Sequence, residues 1–433
     1  MGGLPRRLVV LAMLASLLPG SPARAAEDRT SSLTVTMRLP YAGGTELATD
    51  GRYVYAGQFN GRFERDELPR QGGVRIFDTQ ASPPRLVGTI ACAGTDMDVA
   101  IARPGLLVVA HHRSSCGVAG NGVTTFDVSD PRRPRRLGTV KVPSAHTLTA
   151  LPGTSYVYVS PGGLGNGYGF TSVVDVKDAR HPRVAKYLRF DVMGCHDTTF
   201  ARNAAGTLLG VCTGGDGVRI WDMTDPLSPR ELSYVSRDDN PRLYFAHGAA
   251  ISPDGALLVV NDEAYGGHSC DGTASYGGYG SLHLYDVTRP ETPVYLGAIH
   301  PPRGAVPAAA PRRVETWCTS HQLNFAPTGR RLVNAWFSGG VSVWDLTVPL
   351  LPREEAHYVG QGAVAWTAHW IGDRIWVNDM ARGVEVLELS PVPALPLPVS
   401  PAFTPAPLVL ARPPAPRPAT RPAPSLLCPL PVA

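Results

Sequence analysis

The chain has 433 residues, of which 43% are hydrophobic and 18% charged, enough for a large core and incompatible with global disorder. Its 46 glycines and 42 prolines, close to one residue in five, exclude a helical architecture and point to many short strands joined by turns. The net charge of +4 belongs to the ends: Arg6, Arg7 and Arg24 precede residue 26, and Arg412, Arg417 and Arg421 follow residue 390, with no acid in either segment. Residues 26–390 therefore carry −2, and no nucleic-acid partner is expected.

Residues 1–25 read as a secretory signal. Arg6 and Arg7 give a positive start, an apolar run extends from Leu8 to Leu18, and Pro19-Gly20 breaks it. Ala23-Arg24-Ala25 then supplies the small-x-small pattern of a cleavage site. The run is about half the length of a membrane-spanning helix. The expectation is an exported protein, secreted or associated with the cell envelope, with no membrane span.

Residues 26–390 repeat a unit. An alternating strand ends in an acid: Gly73-Val-Arg-Ile-Phe-Asp78, Gly122-Val-Thr-Thr-Phe-Asp127, Ser172-Val-Val-Asp175, Gly217-Val-Arg-Ile-Trp-Asp222, Ser281-Leu-His-Leu-Tyr-Asp286, Gly340-Val-Ser-Val-Trp-Asp345 and Gly383-Val-Glu-Val-Leu-Glu388. A turn rich in Asp and Pro and a short strand such as Arg136-Leu-Gly-Thr-Val140 follow. Each unit also holds a turn such as Ser252-Pro-Asp-Gly255 before an apolar strand, Leu257-Leu-Val-Val260. Four short strands in about 50 residues have the dimension of a β-propeller blade. Seven copies predict an all-β, seven-bladed propeller. The orphan strand Leu33-Thr-Val-Thr-Met-Arg38 matches the outer-strand position and is expected to complete the last blade and close the ring, removing exposed sheet edges. The strand-end acids Asp78, Asp127, Asp222, Asp286 and Asp345 read as turn caps. Beyond residue 390, 15 of 43 residues are Pro, and residues 391–433 read as an extended or disordered tail without backbone ladders.

The pieces Val-Thr-Thr-Phe-Asp127-Val-Ser-Asp-Pro131 and Leu-His-Leu-Tyr-Asp286-Val-Thr-Arg-Pro290 resemble the LVIVD repeat of exported bacterial and archaeal β-propellers, across essentially all of residues 30–390. The resemblance implies the fold and leaves the activity open. More distantly, the same cadence is similar to that of the selenium-binding protein and methanethiol oxidase propellers, which implies a metal associated with catalysis. The cysteine motif of that family is not evident in this chain, so its activity does not carry over.

Aligned on the Ser-Pro-Asp-Gly turn, successive units place a histidine at one position: His146, His196, His247, His321 and His369. The first two units place acids there, Glu46 and Asp98 (or Asp96). This position starts the innermost strand, so five imidazoles and two carboxylates are expected at one mouth of the central channel. Ends of the second strands add His111-His112, Asp262-Glu263 and Asp379 on the same face, with His268 in a following loop. Imidazole and carboxylate converging there suit Zn, Cu, Fe or Mn. A subset of three or four holds one ion, and His196, His247, His321 and His369 are the expected ligands. The competing assignment has each histidine hydrogen-bond a carbonyl of the neighbouring blade and tie the ring together.

Seven cysteines in an exported chain point to disulfides with one left over, Cys428. The other six sort by position into Cys92 with Cys116, Cys195 with Cys212, and Cys270 with Cys318, although six cysteines allow fifteen connectivities. No nucleophile elbow, phosphate loop, dinucleotide fingerprint or His-Glu-x-x-His helix occurs. Two long loops, Tyr265 to Gly280 and Pro301 to Trp317, stretch units five and six, and Tyr265, Tyr276, Tyr279, Trp317 and Trp366 are candidates for an aromatic wall. The sequence thus predicts a monomeric exported binding protein with a metal or ligand site at the channel mouth. The alternatives are a scaffold for an envelope or extracellular protein, or a metal-dependent oxidase or hydrolase.

Overall fold

The computed structural model describes residues 27–59, 72–91, 95–112, 119–161, 169–190, 194–215, 217–240, 242–264, 280–300, 317–390 and 403–406, without the side chains of 95–97 and 112. Seven antiparallel sheets succeed one another at 44–91, 95–141, 147–189, 197–236, 246–299, 323–359 and 365–389, here numbered blades 1 to 7. The described residues contain no helix. Each innermost strand packs against the next, and that of blade 7 packs against that of blade 1, so the ring is closed.

The repeat explains this geometry locally. Where each third strand ends, the aspartate turns back to accept the N–H two residues on: Gln80 to Asp78 at 3.1 Å, Ser129 to Asp127 at 3.0 Å, and Thr224, Thr288 and Thr347 to Asp222, Asp286 and Asp345, each at 2.9 Å. These acids cap turns, as their positions predicted. Arg135, Arg183 and Arg230 pair with the second carboxylate oxygens of Asp127, Asp175 and Asp222. In Asp127 the Ser129 N–H and Arg135 together pull the carboxyl down to about 2.

Packing then joins the blades. Apolar side chains of neighbouring sheets interlock in seven clusters, one per joint, including Trp336 and Trp344 between blades 5 and 6 and Phe77 and Trp376 between blades 7 and 1. Because the second and third strands of a blade bury one face against each neighbouring blade, their burial is nearly continuous. Leu257–Asp262, for example, is buried at all six positions.

The joint between the last and first blades is built from both termini of the ring. Strand Leu33–Leu39 pairs antiparallel with Gly383–Leu389 as the outermost strand of blade 7, the closure the sequence predicts. Within blade 7 buried Glu385 binds Arg38 of this closing strand at 3.0 Å and the nearby Arg382 at 2.6 Å. Buried Asn378 donates to Gly57 O at 2.8 Å and accepts from Tyr41 Oη at 2.6 Å. Ahead of this strand, Asp28–Arg29 adds a fifth strand to blade 6. The tail also contributes. Phe403–Pro405 pairs with Val294–Ile299 and adds a fifth strand to blade 5. The expectation of a ladder-free tail gives way here because Pro405 lies between the hydrogen-bonding positions of the pairing, where its missing N–H costs nothing.

A disulfide joins Cys195 and Cys212 across the first two strands of blade 4, with Cα atoms 5.1 Å apart, and Cys318 is also disulfide-bonded. Cys92, Cys116, Cys270 and Cys428 lie outside the described residues, as do residues 1–26, His268, Tyr265, Tyr276 and Tyr279. Alkylation of the unfolded, unreduced protein is expected to label one thiol, Cys428. Two or more labelled cysteines within 26–390 would contradict the disulfide framework.

Candidate metal centre

The innermost strands begin with a β-bulge in blades 1, 2, 5 and 7. In blade 5, Ala246 pairs with Asp262 and Gly248 with Asn261, leaving His247 as the extra residue. In blade 7, Ala365 pairs with Asp379 and Thr367 with Asn378, leaving Trp366. In blade 2 the extra residue is Asp96, whose side chain lies outside the described residues. A bulge re-aims one side chain. The bulged His247 and Trp366 join His146, His196 and His321 in a row of rings with centroids 4.7 Å apart from His146 to His196 and 4.2 Å apart from His196 to His247, His247 to His321 and His321 to Trp366.

Four of the five predicted histidines are thus brought together, all buried. His369 is not among them, because Trp366 takes its place. The hairpin of blade 7 closes tightly, with Ile371 opposite Arg374, whereas blade 5 carries a longer Ser252-Pro-Asp-Gly255 loop. Counting back from the turn therefore misplaces the histidine by three residues. Burial alone pushes His369 down to about 4.

Glu46 is also displaced from the predicted position. Gly44 pairs with Gln58 and Leu47 with Ala56, so Thr45 stands at the histidine position and Glu46 falls one residue further on. Its carboxylate accepts from Trp366 Nε1 at 2.8 Å and Thr367 Oγ1 at 2.9 Å, tying blade 7 to blade 1. Asp98 accepts the Leu148 N–H of blade 3 at 2.6 Å. Both belong to a second polar layer with Asp197 and Gln322, whose Nε2 approaches Asp197 Oδ2 at 3.4 Å. Gly248 is the blade 5 member of this layer, and a Cβ there would lie 3.3 Å from Asp197 Oδ2 and 3.4 Å from Gln322 Oε1. Burial, reinforced by the neighbouring carboxylate charges, lifts Glu46 to about 7 and holds Asp98 well above the usual carboxylate range; burial also lifts Asp197 to about 6. Asp197 and Gln322 were missed at the sequence level, although each directly follows a histidine of the repeat.

Among the second-strand acids, Asp262 and Asp379 serve the backbone. Asp262 accepts the N–H groups of Tyr244, Phe245 and Gly280, and Asp379 those of Val364, Ala381 and Arg382. Glu263 is different. Its Oε2 lies 3.5 Å from His247 Nε2, and His247, Glu263 and His321 each offer a ligand atom within 4.8 Å of the others, the three all buried. His111 bonds Thr124 Oγ1 at 3.2 Å within blade 2.

The ring nitrogens are individually set. His321 Nδ1 donates to Trp366 O at 2.7 Å, which places its proton there and leaves Nε2 a lone pair with no hydrogen-bond partner among the described residues. His196 Nδ1 likewise donates to His247 O at 3.2 Å. Asn261 is oriented by accepting the Gly248 N–H at 2.6 Å and donating to His321 O, so its amide N–H faces His247 Nδ1 at 3.3 Å and the His247 proton sits on Nε2, toward Glu263. Desolvation, followed by the adjoining imidazoles, holds His247 well below its usual range, and desolvation takes His321 down to about 3. Both rings are neutral at physiological pH; His321 presents an open lone pair at Nε2, whereas His247 gives up its Nε2 proton to ligate a metal there. With His247 neutral, its 3.5 Å contact with Glu263 is not an ion pair.

Aromatic residues wall the His321 end. Phe337 packs on His321 at 4.8 Å and on Trp317 at 5.7 Å, and Trp366 completes the wall. Phe337 has φ of +49°, a left-handed conformation that a bulky residue adopts at a cost, held by paired backbone bonds to Ala365. Trp317 and Trp366 were foreseen; Phe337 was not, because nothing in its spacing marks it.

No family model matches the chain, and a search of curated proteins finds no relative. Solved structures do match. A chain of a crystal structure of a mitotic checkpoint complex superposes with a TM-score of 0.52 at 11% identity, covering 89% of this chain and 100% of that one. At that identity the similarity shows the propeller fold alone. No helix among the described residues is long and apolar enough to cross a membrane.

Proposed function

We propose that the protein is an exported metal-binding propeller whose site is His247, Glu263 and His321. The observation that carries this reading is the convergence of three buried donors from adjoining blades, with His321 already oriented by its bond to Trp366 O and its Nε2 unengaged. A carbonyl that accepts the second ring N–H is the usual support of a metal-bound histidine. Two imidazoles and one carboxylate are the donor set of Zn²⁺ sites that keep a position open, and also of non-haem Fe²⁺ sites. Such a centre, when loaded, supplies a Lewis acid for a bound water or ligand. The residues themselves supply neutral imidazoles, a negative charge to offset the cation, and an aromatic wall that excludes water. The resemblance to exported LVIVD-repeat propellers supports the export and the fold, and the metal rests on the geometry alone.

Metal analysis of untagged protein, as purified and after incubation with Zn²⁺, Fe²⁺, Mn²⁺ or Cu²⁺ followed by desalting, is expected to find about one ion per chain. Absence of any retained metal would favour the second reading, a scaffold in which the histidines only tie blades together. The bonds His196 Nδ1 to His247 O and His321 Nδ1 to Trp366 O are such ties.

A further inference from the structure

The outer strands of blades 1, 2 and 5 carry a glycine beside the bulge, and its neighbour differs from blade to blade. In blade 1 a Cβ on Gly88 would meet Pro131 O of the next blade's turn, and in blade 2 a Cβ on Gly138 would meet Arg180 O. Register places Gly297 at the same position in blade 5, opposite Leu284 as Gly88 is opposite Ile76. Gly297, however, meets the chain's own tail: a Cβ there would lie 2.6 Å from Thr404 O and 2.7 Å from the Phe403 ring. Its φ of +147° bends the strand in a way an L side chain rarely adopts.

The tail segment is seated as a ligand would be. Phe403 sits in the apolar core between blades 5 and 6, with Leu282, Leu284, Ile299 and Trp344 in the same cluster. Thr404 Oγ1 meets His300 Nε2 at 2.7 Å, and His300 Nδ1 meets Ser281 Oγ at 2.8 Å. Ala406 N donates to Leu296 O at 3.0 Å, continuing the antiparallel pairing. The edge thus offers an aromatic pocket, a side-chain hydrogen bond and main-chain pairing that tolerates proline at one position.

We propose that the outer edge of blade 5 is a strand-docking site for an extended peptide of aromatic–Thr–Pro pattern, and that its occupant is residues 403–406 of the same chain. Main-chain pairing gives such a site its affinity, and the pockets for alternate side chains give it selectivity. An occupant tethered in cis excludes a free peptide of the same pattern through its high effective concentration.

The test uses the full chain and a fluorescein-labelled peptide of residues 400–408. A Phe403→Ala variant empties the pocket, and the peptide is expected to bind it saturably by anisotropy, about tenfold or more tighter than it binds the wild type. The same peptide with alanine in place of its phenylalanine is expected to lose that binding. Hydrogen exchange at residues 296–299 is expected to quicken in the Phe403→Ala variant and to be restored by the peptide. Equal peptide binding by the two proteins, no binding by the variant, or unchanged exchange at 296–299 would overturn the proposal.

Discussion

A chain carrying His247→Ala and His321→Ala is expected to hold no metal above background under conditions in which the parent protein retains about one ion. Two of three donors are removed, and the remaining Glu263 carboxylate is a weak ligand alone. The double variant also loses the His321 tie to Trp366 O, worth about 1 kcal/mol, while that carbonyl keeps the Gln322 N–H at 3.3 Å. Melting temperature must therefore be read beside metal content. Glu263→Gln separates the two effects, because it keeps the shape of the side chain and removes its charge. That variant is expected to fold like the parent and to bind metal at least tenfold more weakly. If both variants retain the parent's metal, the ion sits elsewhere and the assignment of the site fails. Since the imidazoles are neutral down to well below their usual range, metal retention in the parent is expected to persist into mild acid.

A Glu46→Gln variant is expected to lose less stability than the parent as pH rises. In the folded chain Glu46 is lifted from 4.5 to about 7, first by burial and then by the charge of Asp197. A group whose folded value is raised binds its proton more tightly in the folded state. Its stabilising contribution is therefore complete below pH 4.5 and is lost as pH rises through about 7. The full linkage is on the order of 3 kcal/mol, which a glutamine does not forfeit. Glutamine keeps an acceptor for Trp366 Nε1 or Thr367 Oγ1, so the hydrogen bonds between blades 7 and 1 change little. Denaturant midpoints measured from pH 4.5 to pH 8 would show the variant gaining on the parent across that window. Parallel pH profiles for the two proteins would mean that Glu46 is not the strained group in the polar layer. His321 acts with the opposite sign, since its folded value lies below the ordinary one, and it costs stability only as pH falls below that ordinary value. The two effects are separated by the variant, which leaves the histidine row intact.

How much of this was readable beforehand follows from the kind of signal involved. Period-2 alternation, a fixed acid at each strand end and the orphan strand Leu33–Leu39 state the blade, the turn and the closure, because each is a local pattern repeated seven times. Local chemistry also marked the Asp caps and the Cys195–Cys212 pair. The site was only half legible. The repeat marks a histidine position, yet a one-residue bulge decides which residue is aimed, and no residue type announces a bulge in the sequence. In blade 7 a shorter hairpin shifts the count by three, so Trp366 stands where His369 was expected, and the bulges of blades 1 and 2 drop Glu46 and Asp98 into the layer with Asp197 instead of the histidine row. Glu263 was one of several acids at second-strand ends. Its neighbour Asp262 is spent on three backbone N–H groups, and only the folded chain separates the two roles.

The same division holds at the ends of the chain. A proline-rich composition reads as a segment without ladders, and nothing local tells Phe403-Thr404-Pro405 from the rest of it. Its pairing depends on an outer edge about a hundred residues earlier, with a glycine that leaves room for the ring and a histidine that meets the threonine. The sequence by itself determined the seven blades, their turns and the closed ring, because these follow from short-range periodicity and capping. Tertiary structure alone decided which donors meet, which histidine stands aside and where the tail docks. Those outcomes depend on register between strands and on the packing of one blade against the next, which no single stretch of the chain encodes.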